Sequence, residues 1–173
     1  MTITRFARSA FVGGLLFGAL AAGQAALQPP ATAAPAFDSA PTEGVVRVRS
    51  IYPFAETVSR IKAAIAANGI QFFGEIDQSR LAAGTGIDLH MSTLLLFGNP
   101  PLGLQLLTAN PYAGLDWPVR MLVTQDDVGT VWIAWTDFGF IAKRYAITDR
   151  DLVIAKATSV AAMLAASAAQ KSG

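Results

Sequence analysis

The sequence lacks cysteine altogether and contains a single histidine among its 173 residues. Without cysteine the chain cannot form disulfides, thiolate zinc sites or iron–sulfur ligation, and it has no thiol nucleophile. One histidine excludes a two-histidine metal site within a chain and leaves one imidazole base. We therefore expect no bound metal, and imidazole acid–base chemistry would depend on His90.

Charged residues are also scarce, at 14% of the chain, whereas hydrophobic residues make up 53%. The first 26 residues contain Arg5 and Arg8 and no acidic residue, so removing them leaves 11 basic against 12 acidic groups and a net charge of −1. Dispersed charges in this balance do not form the basic stripe that neutralises phosphates. We expect no nucleic-acid partner.

The N-terminus has the order of features that is typical of a secretory signal peptide. Arg5 and Arg8 precede the apolar run at residues 11–22, and small residues follow. The run is shorter than the roughly 20 residues that a spanning helix needs, so we expect no stable membrane span after cleavage. We predict a signal peptide at residues 1–26, with cleavage as late as residue 36, and a periplasmic or secreted protein. Residues 27–44 are rich in Pro and Ala and predict a disordered linker.

The remaining residues, 45–169, are enough for one domain with its own core. Alternating and helical apolar patterns predict elements in the order β-α-β-α-β-α-β-β-α. The predicted strands are at residues 45–52, 70–76, 93–97, 118–124 and 130–136. Helices are predicted to begin at Pro53, Asp77 and Pro100, and the last helical region covers residues 140–147 and then a long C-terminal segment capped by Thr148. We therefore predict a single α+β domain, with a mainly antiparallel sheet and helices packed on one face.

Apolar spacing further predicts which side chains enter the core. The first helix presents one stripe, and the C-terminal helix presents another together with a broad alanine surface. The first stripe contains Phe54, Val58, Ile61 and Ile65, and the second contains Leu152, Ala155, Val160 and Leu164. Trp132 and Trp135 lie three residues apart in a strand and therefore point to opposite faces of the sheet.

The candidate chemistry in this chain is sparse. His90 precedes a buried strand, and its nearest acidic residues in sequence are Asp77 and Asp88. Gly84–Gly86 lacks the third glycine of a dinucleotide-binding loop, so we expect no cofactor. Asp126 and Asp127 are adjacent in a predicted hairpin loop, with no third ligand at the spacing that calcium needs.

The stretch Phe97-Gly98-Asn99-Pro100 resembles the signature of the domain-of-unknown-function family 302. The resemblance extends from about Thr57 to Tyr145 and includes several further positions: Gly69, Ile76-Asp77, Ala82-Ala83, Gly86, Gly103, Asp116 with Pro118, and Gly129-Thr130-Val131. It implies an antiparallel sheet with packed helices and a homodimer, but no known reaction. Family members often have histidine at the position of Gln78, and a second one near the position of Tyr145. If those histidines bind metal or act as acid or base in other members, we do not expect the same role in this chain.

Two hypotheses follow from different functional classes. The first is a non-catalytic module that binds a small ligand or a partner protein in the cell envelope, because no nucleophile–base or metal constellation is recognisable. Its binding pocket would lie where Asp77, His90, Asn99 and Arg120 approach the aromatic strands. The alternative is a small hydrolase or isomerase that uses His90 and an aspartate as its acid–base pair.

Overall fold

The structure is a computed structural model, and it describes residues 38–39 and 43–169. Its strands are β1 (Asp38–Ser39), β2 (Val45–Arg49), β3 (Gln71–Asp77), β4 (Ser92–Gly98), β5 (Val119–Gln125) and β6 (Val131–Thr136). Its helices are α1 (Phe54–Ala67), α2 (Gln78–Ala83), α3 (Pro100–Ala109), α4 (Phe138–Arg144) and α5 (Asp151–Ala169), with a 3₁₀ helix at Pro111–Asp116. The strands form one antiparallel sheet in the order β1-β2-β6-β5-β4-β3. The predicted α+β domain is therefore confirmed.

Short polar side chains begin several of the helices. The side chains of Asp77, Asn99 and Asp137 accept hydrogen bonds from backbone N–H groups in the first turns of α2, α3 and α4. Such caps satisfy donors that a helix leaves unpaired at its N-terminus. The cap at Asp77 and the proline at the start of α3 agree with the sequence prediction, because both signals are local.

The hydrophobic core lies between one face of the sheet and four of the helices. From the sheet it takes inward-facing residues that alternate with outward-facing ones, and Trp135 is buried in the core whereas Trp132 lies on the opposite face. From α1 it takes Ile61 and Ile65, as the predicted stripe required. The main buried side chains from the strands are Val48, Leu95, Phe97, Met121, Val123 and Ile133.

The C-terminal helix differs from the sequence prediction in its start and in its buried face. Helix α5 begins at Asp151, so Thr148 lies outside its first turn and does not cap it. Leu152, which was predicted to enter the core, is 87% exposed, whereas Leu164 is fully buried. The buried face is made mainly of alanines at spacings of three and four, together with Val153: Ala157, Ala161, Ala165 and Ala168.

Among the described helices, α5 alone is long and apolar enough to cross a membrane by length and composition. One third of its most apolar window is buried inside the protein. Its C-terminal end is anchored by Ser50, whose hydroxyl donates to the carbonyl of Ala168 over 2.9 Å. In this structure the helix therefore packs as part of the core.

The predicted signal peptide lies outside the described residues, and so does most of the predicted linker. The described part of the linker differs from the prediction, because Asp38 and Ser39 pair with Arg47 and Val46 as strand β1. In addition, the carbonyl of Gly44 accepts a hydrogen bond from the backbone of Asp137. The unpaired edge of β2 supplies backbone partners that the composition of the linker alone does not reveal.

Candidate functional site

The four residues predicted to form one pocket lie at opposite ends of the sheet. Asp77 is opposite Thr93 at the start of β4, whereas Asn99 follows the last residue of that strand. At about 3.3 Å per residue, six residues of strand separate the two ends by about 20 Å. The single pocket predicted for Asp77, His90, Asn99 and Arg120 is therefore wrong, because the length of β4 keeps its two ends apart.

Asp77 has a structural role at one end of the sheet. Its Oδ1 accepts hydrogen bonds from the backbone N–H of Arg80 over 2.9 Å and from the hydroxyl of Ser79 over 2.8 Å. Both hydrogen bonds lower the pKa of the Asp77 carboxyl below its usual value, and the bond from the backbone N–H of Arg80 has the larger effect. The residue lines a broad surface groove that also includes Ile51 and Met91.

His90 lies at the same end and has a different aspartate beside it from those expected. Its Nε2 is 2.9 Å from Oδ1 of Asp127, which belongs to the loop between β5 and β6. The side chains are 58% and 94% exposed, so water screens their interaction. Within the described residues, no group of three or more His, Asp or Glu side chains is arranged to hold a metal ion.

Asn99 and Arg120 lie toward the opposite end of the sheet, but they do not share one site. Asn99 Oδ1 accepts from the backbone of Leu102 over 3.2 Å and so begins α3. Asn99 also borders an apolar cavity of about 50 Å³ between α3, α5 and the sheet. Arg120 is instead part of a cluster of charged and polar side chains around Asp116.

The Asp116 cluster brings three donor side chains together around one buried carboxylate. The Asp116 side chain is only 3% exposed. It accepts hydrogen bonds from Arg120, from Arg144 over 3.1 Å and from the hydroxyl of Tyr145 over 2.6 Å. The bond to Asp116 raises the pKa of the Tyr145 phenol above its usual value, because the carboxylate stabilises the protonated form.

Most of this cluster could not be predicted from the sequence. The sequence predicts a role for Arg120. Asp116 and Tyr145 are indicated only by the family resemblance, and no sequence pattern indicates Arg144. Arg144 is 28 residues from Asp116 along the chain. No spacing rule connects residues so far apart, and only the packing of α4 beside the start of β5 brings them together.

The indole of Trp117 explains two glycines near the signature. A Cβ atom added to Gly103 would overlap the indole ring, and one added to Gly98 would lie 3.1 Å from its Nε1. The ring therefore lies directly against the backbone at both positions. Its Nε1 is buried and has no hydrogen-bond partner in the described structure.

The second face of the sheet, here called the open face, is not covered by α1, α3, α4 or α5. Strand register and alternation place apolar and basic residues on it. The guanidinium of Arg47 lies 4.5 Å from the centre of the Trp132 ring. The open face is formed chiefly by Arg47, Arg49, Leu94, Leu96, Arg120, Leu122, Trp132 and Ala134.

Comparison with known proteins gives the family. The family model for the domain of unknown function DUF302 matches residues 46–170, which is most of the chain. The chain belongs to the DUF302 family. A crystal structure of an uncharacterized conserved DUF302 protein from Bacillus stearothermophilus has the same fold, with a TM-score of 0.67. It is 16% identical, and the match covers 73% of this chain and 99% of that one.

Curated relatives of this DUF302 chain come from Brucella. Chains named fluoride-specific ion channel FluC 1, from Brucella suis biovar 1 and Brucella abortus biovar 1, are each 34% identical over 104 residues. The match covers 60% of this chain, and 41% and 38% of those relatives. The chain thus spans about two fifths of the length of the curated relatives it matches.

Proposed function

We propose that this protein is an exported, non-catalytic binding module of the cell envelope that pairs with a second copy of itself through the open face of its sheet. The observation that carries the proposal is the composition of that face. Leu94, Leu96, Leu122 and Trp132 are half-buried on this face, whereas α1, α3, α4 and α5 pack against the core on the other face of the sheet. Uncovered apolar surface of this kind is typical of interaction sites.

A second copy fits this face because two such sheets can pack on one another. Two sheets pack face to face at about 10 Å, with their side chains interdigitating. Leu94 and Leu122 are directly opposite each other on the neighbouring strands β4 and β5. Around a two-fold axis they would form an apolar centre, with Arg47 and Arg49 toward one edge.

The Brucella relatives support a location at the membrane. In those proteins, a segment similar to this chain is covalently part of a protein named an ion channel. A signal peptide at residues 1–26 would deliver the present chain to the cell envelope. A channel protein there is the second candidate partner that could bind the open face.

Native mass spectrometry of protein purified from the periplasm without refolding tests this function. We expect a dimer whose chain begins between residues 27 and 37. Replacing Leu122→Lys should give a monomer, because like charges would meet at an apolar centre. Leu115→Lys is the control, since Leu115 lies in the 3₁₀ helix, is 73% exposed and should not affect pairing.

The outcomes separate the candidate partners. A folded wild-type protein that stays monomeric, or a Leu122→Lys protein that stays dimeric, contradicts pairing through this face. Recovery of the wild type only in complex with an integral membrane protein would instead assign the open face to a channel-like partner.

The 2.9 Å approach of His90 to Asp127 favours a second candidate, a hydrolase or isomerase. Replacing His90→Ala would abolish turnover of a substrate while leaving the midpoint of thermal unfolding nearly unchanged, because the side chain is exposed. The measurements are thermal unfolding and turnover of a panel of ester and carbonyl substrates. Equal turnover by wild type and variant would exclude this role, and a large fall in the midpoint would make His90 structural.

A further inference from the structure

We propose that Arg120 and Arg144, here called the arginine pair, bind a small oxyanion such as inorganic phosphate or a carboxylate. The site lies within one chain, and Arg120 also belongs to the open face that the proposed dimer would cover. Its basis is the arrangement of the two guanidinium groups around one buried carboxylate.

Asp116 holds the arginine pair in place. The two arginines come from different elements, β5 and α4, and each donates to a different oxygen of the Asp116 carboxylate. The Asp116 side chain is only 3% exposed. Its negative charge is already bound by donor groups of Arg120, Arg144 and Tyr145. The group therefore carries two positive charges against one negative charge, and an excess charge of +1 remains at the surface.

Most of the donor groups on the arginine pair remain available. Each guanidinium has five N–H donors in a planar fork. Within the described structure, Asp116 is the only hydrogen-bond partner of the Arg120 side chain, and the only polar partners of the Arg144 side chain are Asp116 and Tyr145. The side chains of Arg120 and Arg144 are 44% and 48% exposed, so their other N–H groups reach solvent. A guanidinium fork matches the oxygens of phosphate and carboxylate, and two forks held in advance lose little entropy on binding.

Within the described residues, no carboxylate other than that of Asp116 forms an ion pair with Arg120 or Arg144. Lys143 and Glu43 neutralise one another at 3.5 Å. The Asp137 carboxylate accepts from the backbone N–H of Phe140 over 2.7 Å and caps α4. The Phe140 ring in turn lies 5.2 Å from the guanidinium carbon of Arg144 and helps to orient it.

Titration of the full mature protein with inorganic phosphate, at constant ionic strength set with sodium chloride, tests the site. The readout is the ¹H–¹⁵N resonance of each arginine Nε–H group. We expect saturable shifts at Arg120 and Arg144. Arg120→Lys should weaken binding about tenfold, because lysine keeps the charge but loses the fork. Arg80→Lys, an exposed change in α2 at the other end of the sheet, should leave the affinity unchanged.

The anion used identifies the chemical class. Saturable binding of phosphate or of acetate supports the proposal. The ratio of the two affinities shows whether the site prefers a phosphate or a carboxylate. Binding of fluoride with no oxyanion binding overturns it, as do shifts that rise linearly without saturation. Arg144→Lys provides a second variant should Arg120→Lys unfold, and wild-type affinity in a folded variant also overturns the proposal.

This test and the dimer test fail independently. The arginine pair and its Asp116 anchor belong to a single chain, but Arg120 also lies on the open face. The phosphate titration is therefore repeated on the Leu122→Lys variant, in which pairing through that face is removed and both arginines are accessible. A protein that dimerises without binding oxyanions would overturn the anion site alone.

Discussion

Replacing Leu164→Ala is expected to lower the free energy of unfolding by about 3.5 kcal/mol, the middle of the range for a fully buried leucine. The Leu164 side chain is completely buried in the face of α5 that meets the core. Truncation removes apolar surface that folding takes out of water, and it leaves a cavity that a close-packed interior fills only in part. The same core contains Ile61 and Ile65 of α1, so the loss would loosen the packing of both long helices.

Leu152→Ala is the matched control, because it is the same substitution on the same helix. Leu152 is 87% exposed, so its truncation should change the free energy of unfolding by no more than about 0.5 kcal/mol. Urea unfolding followed by circular dichroism measures both variants. Equal destabilisation by the two would contradict the orientation of α5 described above.

This pair of leucines also marks where sequence prediction reaches its limit. The pattern of α5 predicted that Leu152 and Leu164 share a buried face, but only Leu164 is buried. Most of the contact surface of this helix is alanine, and alanine occurs around much of the helix. Hydropathy therefore cannot identify the buried side, which depends on where the helix backbone approaches α1 and the sheet.

Local signals gave most of the remaining fold. Asn68-Gly69 ends α1, and Gly69 has the positive φ of 62° that glycine adopts most readily. The loop after β5 likewise has Gly129 at a φ of 84°. Strand alternation placed Trp132 and Trp135 on opposite faces. These features depend on a few neighbouring residues, which is why the sequence alone could predict them.

The candidate sites depend on contacts that are distant along the chain. His90 meets Asp127 because β4 and β5 pair in antiparallel register, and this contact replaces the expected Asp77 or Asp88. Arg144 reaches Asp116 only because α4 packs beside the start of β5. No periodicity contains this information, so the Asp116 cluster could be found only from the structure.

Replacing Asp116→Asn is expected to lower the free energy of unfolding by about 3 kcal/mol, as for other broken buried ion pairs. Asparagine has nearly the same shape, but it offers one acceptor oxygen where three donor groups now meet a carboxylate. The amide NH₂ group of asparagine would lie against one of the donor groups that now bind the carboxylate, so that pair could not form a hydrogen bond. Both guanidinium groups would also lose their counter-charge. Partial exposure of Arg120 and Arg144 lets water solvate the remaining charge, which keeps the expected loss toward the lower end of the range for buried pairs.

The control for this prediction is Asp127→Asn, because the Asp127 side chain is 94% exposed beside His90 and should matter little. Urea unfolding at neutral pH compares the two variants, and a similar small loss for both would make the Asp116 cluster unimportant for stability.

The pH dependence of stability supplies a second check. Because Asp116 raises the pKa of Tyr145 in the folded protein, the stabilisation from their bond is present below the usual tyrosine pKa of about 10. It is lost as the pH rises through the higher folded value. The difference in stability between wild type and Asp116→Asn should therefore narrow in strongly alkaline solution, and phenolate absorbance should show Tyr145 ionising at lower pH in the variant.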